Sequence, residues 1–146
     1  MKVSKEPKEN LTDNLYLTFF AAFLFLSGTT LLTLLASLSA NENDQAYLKQ
    51  ALISETAVNI IASVTYYYLM KELFSGKLSL KNVTSIRYLD WVFTTPLLLF
   101  SFVLYTRYSY QPGQDTNFEP LIYIILLNIA MLYFGYMGET KRSNYT

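Results

Sequence analysis

The sequence predicts an all-α membrane protein with four transmembrane helices. The 146 residues are 52% hydrophobic with a mean hydropathy of +0.23. The apolar residues lie in four long continuous blocks, and the charges lie almost entirely between the blocks. A membrane-crossing helix needs about 20 mostly apolar residues in a row. Because only helices and closed barrels satisfy the backbone in lipid, and the blocks are continuous rather than alternating, helices are favoured.

The four helices are expected at about 15–38, 51–70, 83–105 and 120–137. A polar segment at 1–14 precedes them, and 140–146 form a tail or the start of another loop. Residues 15–139 are therefore interpreted as the transmembrane portion of a single domain.

The first block has no charged residue and follows capping residues at Asn10 and Asp13. The second block contains one charge, Glu55, and ends in a tyrosine run at 66–68 that is typical of a membrane interface. Glu55 lies only about five residues into that block, so it is either an interfacial carboxylate or, if it faces the bundle, part of an ion path. The fourth block begins with Pro120, which suits a first helical turn.

The composition excludes several classes of function. The chain has neither histidine nor cysteine, so disulfides, the usual zinc sites and histidine-based acid–base catalysis are not available, and no metal site is expected. Eleven basic and eleven acidic residues cancel, so no overall field attracts nucleic acid. An enzyme is not expected either, since an intramembrane hydrolase would have only one deep carboxylate.

The third block carries two charged residues, and charges inside a membrane span usually mark function. Arg87 precedes Asp90 by three residues and Thr94 follows it by four, so all three share a helix face. Ser101 follows Asp90 by eleven residues. On a helix this places it within about 20° of Asp90 around the axis and roughly 16 Å further along it. This polar stripe is the layout of a proton or ion path. On spacing alone, a charge pair near a helix end remains an alternative.

Two motifs resemble those of microbial (type 1) rhodopsins. Residues 87–99 read RYLDWVFTTPLLL, which is similar to the third helix of bacteriorhodopsin-like proteins. Residues 131–139 read MLYFGYMGE, which resembles the fourth helix of proteorhodopsins. This combination looks like that of giant-virus rhodopsins. The resemblance implies a seven-helix retinal-binding bundle, of which this chain supplies helices one to four.

The resemblance also implies roles for individual residues. In the family, all-trans retinal forms a protonated Schiff base with a lysine of the seventh helix. Asp90 would be its counterion and the primary proton acceptor, with Thr94 as hydrogen-bond partner and Arg87 keeping Asp90 ionised and helping the proton towards the exit. The expected retinal pocket comprises Trp91, Thr95, Leu98, Met131 and Gly135.

This sequence departs from the family pattern at two points. Ser101 occupies the position of the cytoplasmic proton donor, and a serine cannot be an ordinary donor at neutral pH. Reprotonation should therefore be slow, or use water or another group. No lysine lies inside any expected span, so the Schiff-base lysine is not in this chain. We expect the sequence to be the first part of a longer protein whose helices five to seven complete the bundle.

The count of basic residues and the family resemblance predict opposite orientations of the chain in the membrane. Nine basic residues fall on the side of the N-terminus and two on the other, which favours a cytoplasmic N-terminus. The family places the N-terminus outside, and we follow the family. The expected surroundings are the lipid bilayer and further copies of the chain in a homo-oligomer.

The leading functional hypothesis is a light-driven outward proton pump, because the ionisable Asp90 is retained. The alternatives are a light-gated cation channel, to which Glu55 would contribute, and a photosensory rhodopsin. A membrane scaffold without chromophore would require both motifs to be coincidental.

Overall fold

The computed structural model describes residues 6–40, 46–76, 79–110 and 119–143. They form four helices and, over these ranges, no strand: α1 (Glu6–Ser39), α2 (Ala46–Phe74), α3 (Leu80–Tyr110) and α4 (Glu119–Ser143). The predicted all-α fold class and the helix order are confirmed.

Every helix extends beyond its predicted apolar block. The largest difference is in α1, which begins at Glu6 rather than near residue 15, so most of the predicted polar segment is helical. Hydropathy marks only the part of a helix that lies in lipid, whereas the backbone hydrogen bonds continue into the aqueous region. Likewise Lys71 and Lys81, expected in a loop, lie at the end of α2 and the start of α3. Residues 1–5 and 144–146 are outside the described ranges.

Three of the helices are long and apolar enough to cross a membrane, over Asp13–Ser39, Lys81–Ser109 and Glu119–Lys141. The helix α2 does not reach the same hydropathy, because Glu55, Asn59 and several hydroxyl side chains interrupt its apolar residues. Its 29 residues are nevertheless about 44 Å long, and it packs against both α1 and α3. A spanning α2 therefore remains our prediction.

The helices pack in a row in chain order. Within the described ranges, α1 contacts α2, α2 contacts α3 and α3 contacts α4, and no other pair of helices meets. Large apolar side chains such as Phe25, Leu38 and Leu127 are exposed. This outward apolar surface is what a lipid-embedded protein needs. Within the described ranges the two outer helices, α1 and α4, do not contact each other.

Small and hydroxyl side chains dominate the helix contacts. The buried polar residues are Ser37, Ser54, Thr56, Ser63, Asp90, Thr94 and Ser101. The Thr56 hydroxyl donates to the Thr33 hydroxyl across the α1–α2 contact, at 2.9 Å. Because lipid tails are as apolar as leucine, helices in membranes associate through close packing and hydrogen bonds of this kind.

The described residues on either side of the α2–α3 connection favour the end of one helix and the start of the next. Gly76, two residues after the end of α2, has a φ of 64°, a left-handed conformation that glycine adopts without steric cost. The Ser79 hydroxyl accepts a hydrogen bond from the Asn82 amide at 3.2 Å and so caps the start of α3.

Candidate functional site

Asp90 is buried in the contact between α2 and α3, with 9% of its surface exposed. The Thr65 hydroxyl on α2 donates to Asp90 Oδ1 at 3.2 Å and also lies 3.0 Å from the Ile61 carbonyl. A carboxylate buried on two packed helices with a hydroxyl partner is costly in lipid, which favours a functional role over a pair at a helix end. Asp90 therefore forms the centre of the candidate site.

The hydrogen bonding of Thr94 differs from the expected arrangement. Its hydroxyl donates to the Asp90 backbone carbonyl at 2.9 Å rather than to the carboxylate. Threonine in a helix commonly bonds the carbonyl four residues back, because that oxygen lies within reach of its side chain. In this structure the carboxylate partner is thus Thr65, and a direct role for Thr94 at the carboxylate stays a prediction.

Arg87 lies on an exposed part of α3 and contacts Trp91. Its guanidinium carbon is 4.7 Å from the centroid of the Trp91 ring, which is a cation–π distance. Over the described ranges no ion pair joins Arg87 to Asp90, contrary to the expected pairing. The physical reason is that Arg87 stacks on the aromatic face one turn away, while Asp90 is turned into the α2 contact.

Ser101 lies at the far end of the polar stripe, close to Glu55. Ser101 is buried, and its hydroxyl donates to the Ala51 carbonyl of α2 at 3.2 Å. The same hydroxyl oxygen is 3.5 Å from Glu55 Oε2, at the outer limit of a hydrogen bond. A cavity of about 480 Å³ opens beside them, lined by Leu48, Ala51, Leu52, Glu55, Leu98, Ser101, Phe102 and Tyr105. Glu55 thus faces the space between α2 and α3.

The expected retinal wall spans α3 and α4. The Asn128 amide of α4 donates to the Thr95 hydroxyl of α3, and that hydroxyl in turn donates to the Trp91 carbonyl at 2.6 Å. Met131 is three residues from Asn128 and four from Gly135, so the three lie on one face of α4. Thr95 of the expected wall is therefore in contact with α4, and Met131 and Gly135 share the helix face of Asn128.

The wall suits an elongated apolar ligand that carries a positive charge. Leu98 and Met131 have 42% and 62% of their surface exposed, so α1–α4 leave them uncovered. Trp91 supplies an aromatic ring and Asp90 supplies a buried carboxylate, both on α3. These features fit the polyene and the cationic end of retinal. The amine for a covalent bond is not among them, since the lysines of this chain lie outside the apolar parts of the helices.

Gly135 brings α4 close to Tyr88. A Cβ atom added to Gly135 would lie 2.9 Å from Tyr88 Oη. The Tyr88 ring is held between Trp91 and Tyr136, with centroid separations of 5.3 and 5.5 Å. Gly135 therefore has a packing role against α3 in addition to its expected place in the retinal wall.

We expect Gly135→Ala to destabilise the protein by about 1–3 kcal/mol, because the added methyl group meets a tyrosine that its neighbours hold in place. The matched control is Gly138→Ala, where a Cβ meets nothing within 4 Å. Thermal unfolding in detergent should show the loss only at Gly135. Adding Tyr88→Phe, which removes the Oη atom, should restore most of the stability. Equal melting of both alanine variants would contradict this assignment.

Three contact residues were missed by the sequence interpretation. Thr65 and Asn128 are polar residues inside apolar blocks, so an intramembrane polar side chain was an available signal. What the sequence lacked was the pairing, because Thr65 is 25 residues from Asp90 and Asn128 is 33 from Thr95. Tyr88 was part of the quoted motif, but its contact with Gly135 depends on how α3 and α4 approach each other.

Comparison with known proteins agrees with the two motifs. Residues 13–146 match the family described as bacteriorhodopsin-like protein. Searches of the curated proteins and of the solved structures give no match. The family match covers nearly the whole chain, including all four helices beyond the first turns of α1. The chain therefore belongs to the bacteriorhodopsin-like family, the microbial rhodopsins, which are multi-pass retinal proteins of the membrane.

Proposed function

We propose that this protein is a light-driven outward proton pump that binds all-trans retinal as a protonated Schiff base. Members of the family are mostly pumps, channels or sensors. The choice of a pump is supported mainly by the position of Asp90. Its ionisable carboxylate is buried between α2 and α3, near the exposed apolar side chain of Leu98 on the same helix. A carboxylate in this position can both balance a buried positive charge and receive a proton. The lysine for the Schiff base would come from further helices of the same protein.

Retinal, when bound, supplies the absorption of visible light and a positive charge whose proton is released after isomerisation. The residues of this chain bind and orient it and then handle the proton. Asp90 stabilises the positive charge in the dark and accepts the proton afterwards. Thr65 orients the carboxylate through its hydrogen bond. Arg87 lies about one turn before Asp90 on α3. Its positive charge lies on the proposed exit route of the released proton.

The direction of transport follows from the proposed orientation. With the N-terminus outside, α3 runs from the outer side inwards, so Arg87 lies on the outer side of Asp90. Ser101 and Glu55 then lie on the cytoplasmic side. Acceptance at Asp90 followed by release near Arg87 would move a proton outwards.

A light-gated cation channel is the second candidate, and the position of Glu55 favours it. The Glu55 carboxylate borders a cavity of about 480 Å³ between α2 and α3. A carboxylate beside such an opening attracts cations. A channel would pass current in either direction according to voltage, whereas a pump drives current in one direction.

The test is to express the complete reading frame in cells with added all-trans retinal and to illuminate them in unbuffered medium. We expect a visible absorption band and acidification of the medium that a protonophore abolishes. Voltage clamp separates the two candidates. Photocurrent that keeps its sign at every voltage supports the pump, and photocurrent that reverses with the cation gradient contradicts it in favour of the channel.

Thr65→Val should shift the visible absorption to shorter wavelength. The hydrogen bond from Thr65 withdraws negative charge from Asp90, so its loss lets the carboxylate stabilise the ground-state cation more strongly. The change corresponds to the strength of one hydrogen bond, about 1 kcal/mol. Thr65→Ser keeps the donor and should keep the colour. Thr106→Val is the matched control, because Thr106 donates only to its own helix at Phe102. A shift in the control as large as in Thr65→Val would contradict the assignment.

A further inference from the structure

We propose that a groove between α3 and α4 binds one zwitterionic membrane phospholipid, with an acyl chain in the groove and the head group at its polar end. This inference does not depend on the proposed pump. It assigns a ligand to a part of the α3–α4 contact that contains neither Asp90 nor any residue of the expected retinal wall.

The groove has a volume of about 290 Å³ and a mainly apolar lining. Its apolar walls are Leu89 and Val92 on α3 and Ile129 and Leu132 on α4. Leu89, Val92 and Ile129 are exposed, so α1–α4 leave the groove uncovered. An uncovered apolar groove on a membrane protein suits an acyl chain, which is as apolar as the side chains around it.

The groove is separate from the expected retinal wall. Val92 directly follows Trp91 on α3, and Leu132 directly follows Met131 on α4. Successive residues of a helix point about 100° apart around its axis, so the groove uses other faces of the two helices than the wall does. Retinal bound at the wall therefore leaves the groove open to a second apolar ligand.

The groove runs inwards from one membrane surface. Ser85 lies four residues after Lys81, where the apolar span of α3 begins, and Tyr136 lies five residues before Lys141, where the span of α4 ends. The Ser85 and Tyr136 hydroxyls are 3.3 Å apart and form the polar end of the groove. Val92 lies seven residues beyond Ser85, about 10 Å deeper. A groove that is polar at the membrane surface and apolar further in matches the order of groups along a phospholipid.

Opposite charges accompany the polar end. Lys81 is exposed and lies one turn before Ser85, on the same face of α3. The Tyr88 hydroxyl, which lines the groove, donates to the carboxylate of Glu139 on α4. A lysine attracts the phosphate of a lipid head group, and a carboxylate attracts an ammonium group. One cation and one anion together match a zwitterionic head group, such as that of phosphatidylethanolamine, better than an anionic one.

The experiment titrates the full-length, retinal-bound protein in detergent with phosphatidylethanolamine and counts bound lipids by native mass spectrometry. We expect one lipid per chain to bind saturably. Diacylglycerol with the same acyl chains lacks both charges and should bind about fivefold more weakly or less. Lys81→Gln should weaken phosphatidylethanolamine binding by a similar factor. Lys71→Gln, which removes the same charge at the end of α2, should leave binding unchanged.

A second set of variants fills the groove itself. Val92→Trp should abolish the saturable binding, whereas Val64→Trp, at an exposed position of α2 outside the groove, should not. The visible absorption band reports folding, and Ile129→Phe replaces Val92→Trp if that variant lacks the band.

Three outcomes would overturn the inference. The first is native lipid binding to a folded variant with a filled groove. The second is equal binding of phosphatidylethanolamine and diacylglycerol, which marks ordinary contact with bilayer lipids. The third is a native protein that binds no lipid but forms an oligomer that Val92→Trp dissociates, which assigns the groove to a second copy of the chain.

Discussion

Asp90→Asn should shift the visible absorption to longer wavelength and abolish light-driven acidification. Asparagine has nearly the same shape as aspartate but no charge, so the positive charge of the chromophore loses its buried partner. The ground state is stabilised less, which narrows the gap to the excited state, where the charge is displaced. The amide also cannot accept the proton. Spectra of the purified protein and external pH under illumination measure the two effects.

Two controls separate the counterion role from general damage. Asp13→Asn makes the same chemical change at the edge of the first apolar span, and it should alter neither colour nor acidification. Asp90→Glu keeps the carboxylate and should keep a band close to the native one. Asp90 is buried against α2, so correct folding of each variant is checked by its thermal midpoint. An unchanged band in well-folded Asp90→Asn would refute the counterion assignment.

Ser101→Asp should shorten the recovery of the dark absorption after a flash by about tenfold or more. The new carboxyl group would lie on the polar face of α3, beside Glu55 and about 16 Å from Asp90 along the helix. A protonated carboxyl there can give up a proton directly, whereas a serine hydroxyl does not ionise at neutral pH. Flash photolysis of the native and variant proteins measures the rate.

Ser101→Ala is the comparison that isolates the carboxyl group. It removes the hydrogen bond to the Ala51 carbonyl without adding an acid, so recovery should not become faster than in the native protein. If Ser101→Asp recovers no faster than the native protein, reprotonation does not pass this position.

Much of this architecture was readable from hydropathy. The four apolar blocks predicted four helices in the right order because the cost of burying polar groups in lipid forces long apolar runs. Helix ends were predicted less well. The helix α1 begins at Glu6, since backbone hydrogen bonding continues where apolar residues stop. The helix α2 has the weakest apolar signal because its hydroxyl residues and Glu55 face helix contacts and the cavity rather than lipid.

The candidate site was predicted on α3 but not across the helices. Periodicity placed Asp90, Thr94 and Ser101 on one face, and the structure buries all three. The partners of that face depend on the register between helices, which no pattern within one helix contains. For this reason Thr65 beside Asp90 and Asn128 beside Thr95 became visible only in the structure. Glu55 is a similar case. Its spacing left it as either an interfacial carboxylate or part of an ion path, and the structure places it beside the cavity between α2 and α3.

The measurement that tests the central claim most directly is the infrared difference spectrum of the retinal-bound protein, recorded after a flash. If Asp90 is the proton acceptor, a positive C=O band of a newly protonated carboxyl group should rise as the visible band bleaches. That band should shift in heavy water and be absent in Asp90→Asn. A cycle without a positive carboxyl band, or one whose band persists in Asp90→Asn, would contradict the assignment of Asp90 as acceptor.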